Sequence, residues 1–172
     1  MCSNEELIQK AYDLAYKYEA EIGSCPQCVL SAIYETLGIG DPSIIQASDS
    51  MAGGTSLSTE GTCGALVGGL LAIGCVVGRT YEKFSIGDQR RRVFQYSKKL
   101  YDRFVQEYGS PICKNIHMKL FDRTFNLLDN NDYAEFDRLG AHVDKCTSVS
   151  GNTARWTMEI LLNDLKIKKK DV

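Results

Sequence analysis

Cysteine is the residue type in this sequence whose number and placement suggest chemistry. Seven cysteines occur in 172 residues. Two of them form a Cys-x-x-Cys element, Cys25-Pro26-Gln27-Cys28, in which the proline suits the first turn of a helix. Two thiols one helical turn apart can form a disulfide or bind one metal ion. The other five are solitary in the sequence: Cys2, Cys63, Cys75, Cys113 and Cys146.

Four of the cysteines fall where the sequence predicts that helices begin. Cys25 and Cys63 stand directly before apolar helical runs, Cys113 follows a Gly-Ser-Pro break, and Cys146 precedes the last helix. The unpaired backbone N–H groups and the positive end of the helix dipole at such positions stabilise a thiolate. We therefore expect lowered thiol pKa values, which suit a metal ligand or a redox nucleophile.

The remaining candidate residues have simpler interpretations. Cys75 lies inside an apolar run, so we interpret it as a small buried hydrophobic residue, and Cys2 as a disordered terminal thiol. His117 and His142 each lie four residues from a cysteine and could face it as a ligand or a proton carrier. A solvent-facing or hydrogen-bonded histidine is the interpretation that we favour for both.

Composition excludes several classes of function. The 20 basic and 22 acidic side chains leave a net charge of -2, which argues against nucleic-acid binding. No Gly-Lys-Ser/Thr motif is present, which argues against nucleotide binding, and no Cys-x-x-Cys-His motif is present, which argues against covalent haem.

The same sequence predicts a cytoplasmic location without a membrane span. The N-terminus lacks a signal-peptide pattern. The longest apolar run, residues 64–78, is shorter than the roughly 20 residues that a spanning helix needs. In the cytoplasm, clustered thiols are more often metal-binding or redox-active than paired in structural disulfides.

Helical periodicity predicts an all-α, single-domain bundle of about six to eight helices without a sheet. The domain covers residues 1–172, with frayed ends at 1–4 and 166–172. Ser3-Asn4-Glu5-Glu6 forms a capping box, and residues 48–62 have the composition of a loop. The predicted helices cover 5–21, 26–37, 42–47, 63–78, a long segment from Asp88 to Tyr108, a segment with Ile116, Leu120 and Leu128, residues 133–139, and a last segment after Cys146.

Four segments in this order resemble a known family. They are Cys25-Pro26-Gln27-Cys28-Val29-Leu30, residues 61–69 around Cys63, residues 104–113 ending at Cys113, and Cys146 with its helical tail. Together they resemble the C-GCAxxG-C-C family of redox-active proteins, over residues 18–162. That family is similar to the non-haem domain of split-Soret cytochrome c, and the resemblance implies an iron–sulfur cluster. It also implies that Cys25, Cys63, Cys113 and Cys146 are the functional thiols, with Cys28 and Cys75 as additions.

Three functions follow as hypotheses. The first is an electron-transfer protein that binds an iron–sulfur cluster through Cys25, Cys63, Cys113 and Cys146 and serves a redox partner protein. The second is a thiol–disulfide oxidoreductase in which Cys25 attacks and Cys28 resolves the mixed disulfide, with Cys63 as a further catalytic candidate. The third is a zinc-stapled or metal-free helical interaction module. A homodimer bridged by the cluster is a further alternative.

Overall fold

The computed structural model describes residues 2–89 and 91–168, and within them the chain is all-α without a strand, as the sequence predicts. The nine α-helices of these residues are α1 (Asn4–Glu21), α2 (Cys25–Leu37), α3 (Pro42–Ser48), α4 (Gly64–Val77), α5 (Tyr81–Ser85), α6 (Arg91–Tyr108), α7 (Cys113–Phe121), α8 (Asn130–Arg138) and α9 (Cys146–Glu159). Short π-helical turns at Ala141–Lys145 and Ile160–Asp164 lie directly before and after α9.

The first helices begin and end where local chemistry satisfies their terminal backbone groups. The capping box is present, because the Ser3 hydroxyl accepts from the Glu6 amide and the Glu6 carboxylate accepts from the Ser3 amide. The Asp41 side chain caps α3 in front of Pro42. Gly38 ends α2 in the left-handed conformation, which costs glycine little.

The helices of the structure differ from the predicted helices in two places. The five-residue helix α5 was not predicted, because so short a segment shows no periodicity; the Thr80 hydroxyl caps it. The helix expected to include Leu128 ends at Phe121, and Leu128 lies exposed in the following turn. Leu128 continues the helical spacing of the apolar residues before it, although it lies in a turn.

The main core lies between the longest helices. Helix α4 packs against α2, α6 and α9, and α1 packs against α2 and α9. Large side chains buried there include Leu30, Ile33, Leu66 and Phe104, each of which stabilises the fold by roughly 1.5–3 kcal/mol relative to an exposed position. A second, smaller core is formed by Phe125, Leu127, Phe136 and Ala141.

The interpretation of Cys75 as a buried residue is wrong, because its side chain is exposed. The core face of α4 carries Ala65, Leu66, Ala72 and Ile73, while Cys75 lies exposed in the last turn of the helix. A helix that is apolar on every side does not reveal from its sequence which side faces the solvent.

The predicted frayed ends fall only partly within the described residues. Residues 1 and 169–172 lie outside them, whereas Ser3 caps α1 and Asn4 begins it. Among the described helices, none combines the length and the apolar character needed to cross a bilayer.

Candidate functional site

The four cysteines shared with the family pattern line one cavity of about 140 Å³. They are Cys25, Cys63, Cys113 and Cys146, which are widely separated in the sequence. Cys63 and Cys113 are buried, and Cys25 and Cys146 are partly buried. The fold therefore brings together four thiols that the sequence could only place one by one.

Each of these cysteines stands at the N-terminus of a different helix. Cys25 begins α2, Cys63 is the residue before α4, Cys113 begins α7 and Cys146 begins α9. The prediction that these cysteines begin helices is confirmed. Because N-terminal N–H groups and the helix dipole favour negative charge, four such ends at one cavity suit an anionic occupant.

Backbone hydrogen bonds fix two of the cysteines relative to each other. The Cys63 amide donates to the Pro111 carbonyl at 2.8 Å, and the Cys113 amide donates to the Gly61 carbonyl at 3.0 Å. These bonds form a short antiparallel bridge between Thr62 and Ile112. The two turns that precede α4 and α7 therefore hold both thiols at the same wall of the cavity.

Two glycines allow the backbone to approach the cysteines closely. A Cβ on Gly64 would lie 2.5 Å from the Cys25 Sγ and 2.7 Å from Pro26 Cδ. Gly54 has a φ of +70°, and a Cβ there would lie 2.5 Å from the Cys113 Cβ. Neither position has room for a side chain, so both glycines are required by packing around the thiols.

The expectation of lowered thiol pKa values is wrong for the protein without a bound group. Burial, together with the nearby Cys113 thiol, raises the pKa of Cys63 to about 12. Burial also raises the pKa of Cys113 to about 12. The pKa values of Cys25 and Cys146 rise for the same first reason, followed by the charge of Glu19. At all four thiols, desolvation outweighs the favourable effect of the helix dipoles on the thiolate.

A family model described as "Putative redox-active protein (C_GCAxxG_C_C)" matches residues 23–160. The chain belongs to this family. A search of curated proteins and a search of solved structures each found no match. The residues matched to the C_GCAxxG_C_C family include all four cavity cysteines and both glycines.

Cys28, which was also predicted to be catalytic, does not line the cavity. Its Sγ donates to the Gly23 carbonyl at 2.9 Å, and the side chain is buried. Burial raises the pKa of Cys28, and the Glu19 carboxylate raises it further. Cys25 and Cys28 are both free thiols.

His117 faces a cavity thiol, which is the alternative that the sequence favoured less. It is buried in the wall of the C_GCAxxG_C_C cavity, with Nε2 3.6 Å from the Cys113 Sγ. His142 also lines the cavity, and its Nδ1 lies 2.9 Å from the Asp137 carboxylate, as the hydrogen-bonded interpretation predicts.

Sequence reasoning missed Glu19, which lines the cavity and is only 4% exposed. Ser150 donates to its carboxylate at 3.0 Å, and burial raises the pKa of Glu19. The available signal was its spacing, since Leu7, Ala11, Ala15 and Glu19 form one buried row along α1. This residue precedes the segment matched to the C_GCAxxG_C_C family, so helix α1 adds an acidic group to the family site.

No group of three or more His, Cys, Asp and Glu side chains in residues 2–89 and 91–168 is arranged to hold a metal ion. The four thiols of this C_GCAxxG_C_C protein instead stand around the cavity, together with Glu19, His117, His142 and apolar residues such as Ile116 and Leu127.

Proposed function

We propose that this redox-active family member is an electron-transfer protein that holds an iron–sulfur cluster through Cys25, Cys63, Cys113 and Cys146. The observation that carries the proposal is the convergence of these four thiols on one cavity. Four cysteine thiolates are the usual protein ligands of two-iron and four-iron clusters.

The size of the cavity supports a group of several atoms. Its volume is about 140 Å³, whereas one buried water needs roughly 10–15 Å³. A single zinc ion would require four sulfur atoms about 2.3 Å from one point. A cluster can contact thiols that stand further apart, because its own iron and sulfide atoms fill the space between them.

The electrostatics of the site also support a bound group that contains metal ions. Without one, burial and mutual repulsion keep the four thiols protonated, as the raised pKa values of Cys63 and Cys113 indicate. Metal binding replaces those protons and leaves thiolates. Backbone N–H groups then stabilise the sulfur atoms, and the amides of Gly53 and Ala65 already act in this direction at Cys25.

A bound cluster would supply one-electron transfer, and the residues of this chain would hold and shield it. Ile116, Leu127 and Phe136 are buried in the cavity wall, where they exclude water. Ile22 and Tyr133 also line the cavity but are exposed. We assign the surface at Ile22 and Tyr133 as the side at which electrons pass to a redox partner protein in the cytoplasm. A homodimer bridged by the cluster is the alternative arrangement.

The thiol–disulfide alternative receives less support. It needs a reactive thiolate at Cys25 and a resolving thiol at Cys28. The pKa of the Cys25 thiol is raised by burial, and Cys28 lies outside the cavity with its Sγ bonded to Gly23. The zinc-stapled module remains the competing alternative for the four cavity thiols.

Anaerobic reconstitution tests the proposal. Purified protein is incubated with ferrous iron, sulfide and a thiol reductant, and in parallel with zinc alone. We expect a brown protein whose visible absorption bleaches on reduction and returns on oxidation. A colourless protein that retains one zinc per chain would support the structural module. A colourless, metal-free protein with a Cys25–Cys28 disulfide would support the oxidoreductase.

A further inference from the structure

His117 is a buried polar residue for which the proposed ligand set gives no role. Its side chain is 2% exposed and lines the cavity. The imidazole packs against three phenylalanine rings, those of Phe121, Phe125 and Phe136, at centroid distances of 5.7, 5.5 and 5.0 Å. These contacts surround the imidazole with apolar groups.

Helix α7 places the imidazole of His117 beside the thiol of Cys113. Cys113 and His117 are four residues apart, so their side chains lie on the same face of the helix. The distance between His117 Nε2 and Cys113 Sγ is 3.6 Å, which is a hydrogen-bond contact to sulfur. The other ring nitrogen, Nδ1, is buried and has no partner among the described residues.

The missing partner at Nδ1 decides where the ring proton resides. A neutral imidazole carries one proton, on either Nδ1 or Nε2. A proton on Nδ1 would be a buried donor without an acceptor, which costs about 1–3 kcal/mol. A proton on Nε2 meets the Cys113 sulfur, and a metal-bound thiolate can only accept it.

We infer that His117 donates its Nε2 proton to the Cys113 Sγ and thereby raises the reduction potential of the bound cluster. The inference deepens the proposed function and rests on it for the cluster. A hydrogen bond to a ligand sulfur stabilises the reduced cluster, which is the more negative of the two states. His117 is thus a positioning residue that acts through Cys113, and it is not itself a ligand.

The first test measures the reduction potential of the reconstituted protein at pH 7 by protein-film voltammetry. We expect His117→Leu to shift the potential to a more negative value. His117→Gln should restore most of the shift, because the glutamine amide can place an N–H near the position of Nε2. The matched control is Phe121→Leu, which removes a ring packed on His117 but no donor, and it should leave the potential near that of the wild type.

The second test does not require a cluster. The ring nitrogens of the metal-free wild-type protein are observed by ¹⁵N NMR, with His117→Leu used to assign the signals. We expect the Nε2-protonated tautomer, and the Nδ1-protonated tautomer would overturn the inference. An unchanged potential in His117→Leu, or an equal shift in Phe121→Leu, would overturn it as well. A wild-type protein that binds no cluster would instead refute the proposed function and the effect on the potential, while the tautomer still decides whether His117 donates to Cys113.

Discussion

The cavity thiols have higher pKa values in the folded protein than thiols have in an unfolded chain. In the folded, metal-free protein, burial raises the pKa of Cys63 and of Cys113 to about 12. An unfolded cysteine loses its proton near pH 8.5. Between these values the folded state binds more protons than the unfolded state, so the free energy of unfolding falls as the pH rises.

This difference predicts that the metal-free protein becomes less stable above pH 9. Each buried thiol lowers the free energy of unfolding by up to about 1.4 kcal/mol per pH unit. Thermal unfolding followed by circular dichroism should therefore show a Tm that falls between pH 9 and pH 10. Burial also raises the pKa of Tyr18 and Tyr108, so these residues add to the fall as the pH approaches their unfolded pKa of about 10. The double variant Cys63→Ala, Cys113→Ala should show a weaker dependence. A wild-type Tm that stays constant or rises in this range would contradict the prediction.

The residue types in the sequence predicted which cysteines line the cavity. They did not predict the buried Glu19 or the raised thiol pKa values, which depend on burial. The sequence identified the four thiols, because they stand at predicted helix starts and match the family pattern. It missed Glu19, since a carboxyl group is seldom fully buried, and it misjudged the thiol pKa values. Both errors concern desolvation, which depends on neighbours that are distant in the sequence.

At the scale of elements, the site consists of four helix N-termini that meet. Helix α4 can approach the start of α2 because Gly64 has no side chain. A Cβ on Gly64 would lie 2.5 Å from the Cys25 Sγ. Gly74 lies ten residues further along the same helix and has no atom within 4 Å of a Cβ built on it.

These two glycines form a matched pair for mutation. We expect Gly64→Ala to destabilise the protein by about 1–3 kcal/mol and to abolish cluster binding, because the methyl group must displace the Cys25 sulfur. Gly74→Ala should be neutral or stabilising by up to about 1 kcal/mol, because alanine favours a helix interior. Urea unfolding and iron content measure the two effects.

The opposite order of the two variants, or full cluster binding in Gly64→Ala, would show that the close approach of α4 to α2 is not required. Equal destabilisation by both variants would indicate a general intolerance of α4 to alanine instead.

Element boundaries were predictable where local capping fixes them. Ser3, Asp41 and Gly38 mark helix ends through bonds within a few residues, so the sequence contains the information. Helix α5 is too short for periodicity, and the position of Leu128 depended on a turn that the apolar pattern concealed. The convergence of the four helix starts could not be predicted, because it depends on packing between α2, α4 and α9 and on the bridge that joins the turns before α4 and α7.

At the scale of the whole molecule, the cavity joins the two cores. Cys63 belongs to the main core, while Cys146 packs against the smaller core of Phe125, Leu127, Phe136 and Ala141. A group bound by all four thiols would therefore cross-link distant parts of the chain. Binding to the folded state alone stabilises that state.

Cluster binding should accordingly slow hydrogen exchange in segments around the cavity. We expect greater protection in residues 49–62 and 122–146 of the reconstituted protein than in the metal-free protein, measured by mass spectrometry. Helix α5 provides an internal control, because all of its residues are exposed and none lines the cavity. Equal exchange in the two forms, or protection confined to residues near Cys25 and Cys28, would contradict binding by all four thiols.

The central claim is that four thiols, and not six, hold the cluster. Iron and sulfide per chain, measured after anaerobic reconstitution of single serine variants, test it most directly. We expect Cys25→Ser, Cys63→Ser, Cys113→Ser and Cys146→Ser each to lose most of the iron and sulfide. The controls Cys28→Ser and Cys75→Ser lie outside the cavity lining and should retain wild-type amounts. Full iron and sulfide in Cys63→Ser, or their loss in Cys75→Ser, would contradict the claim.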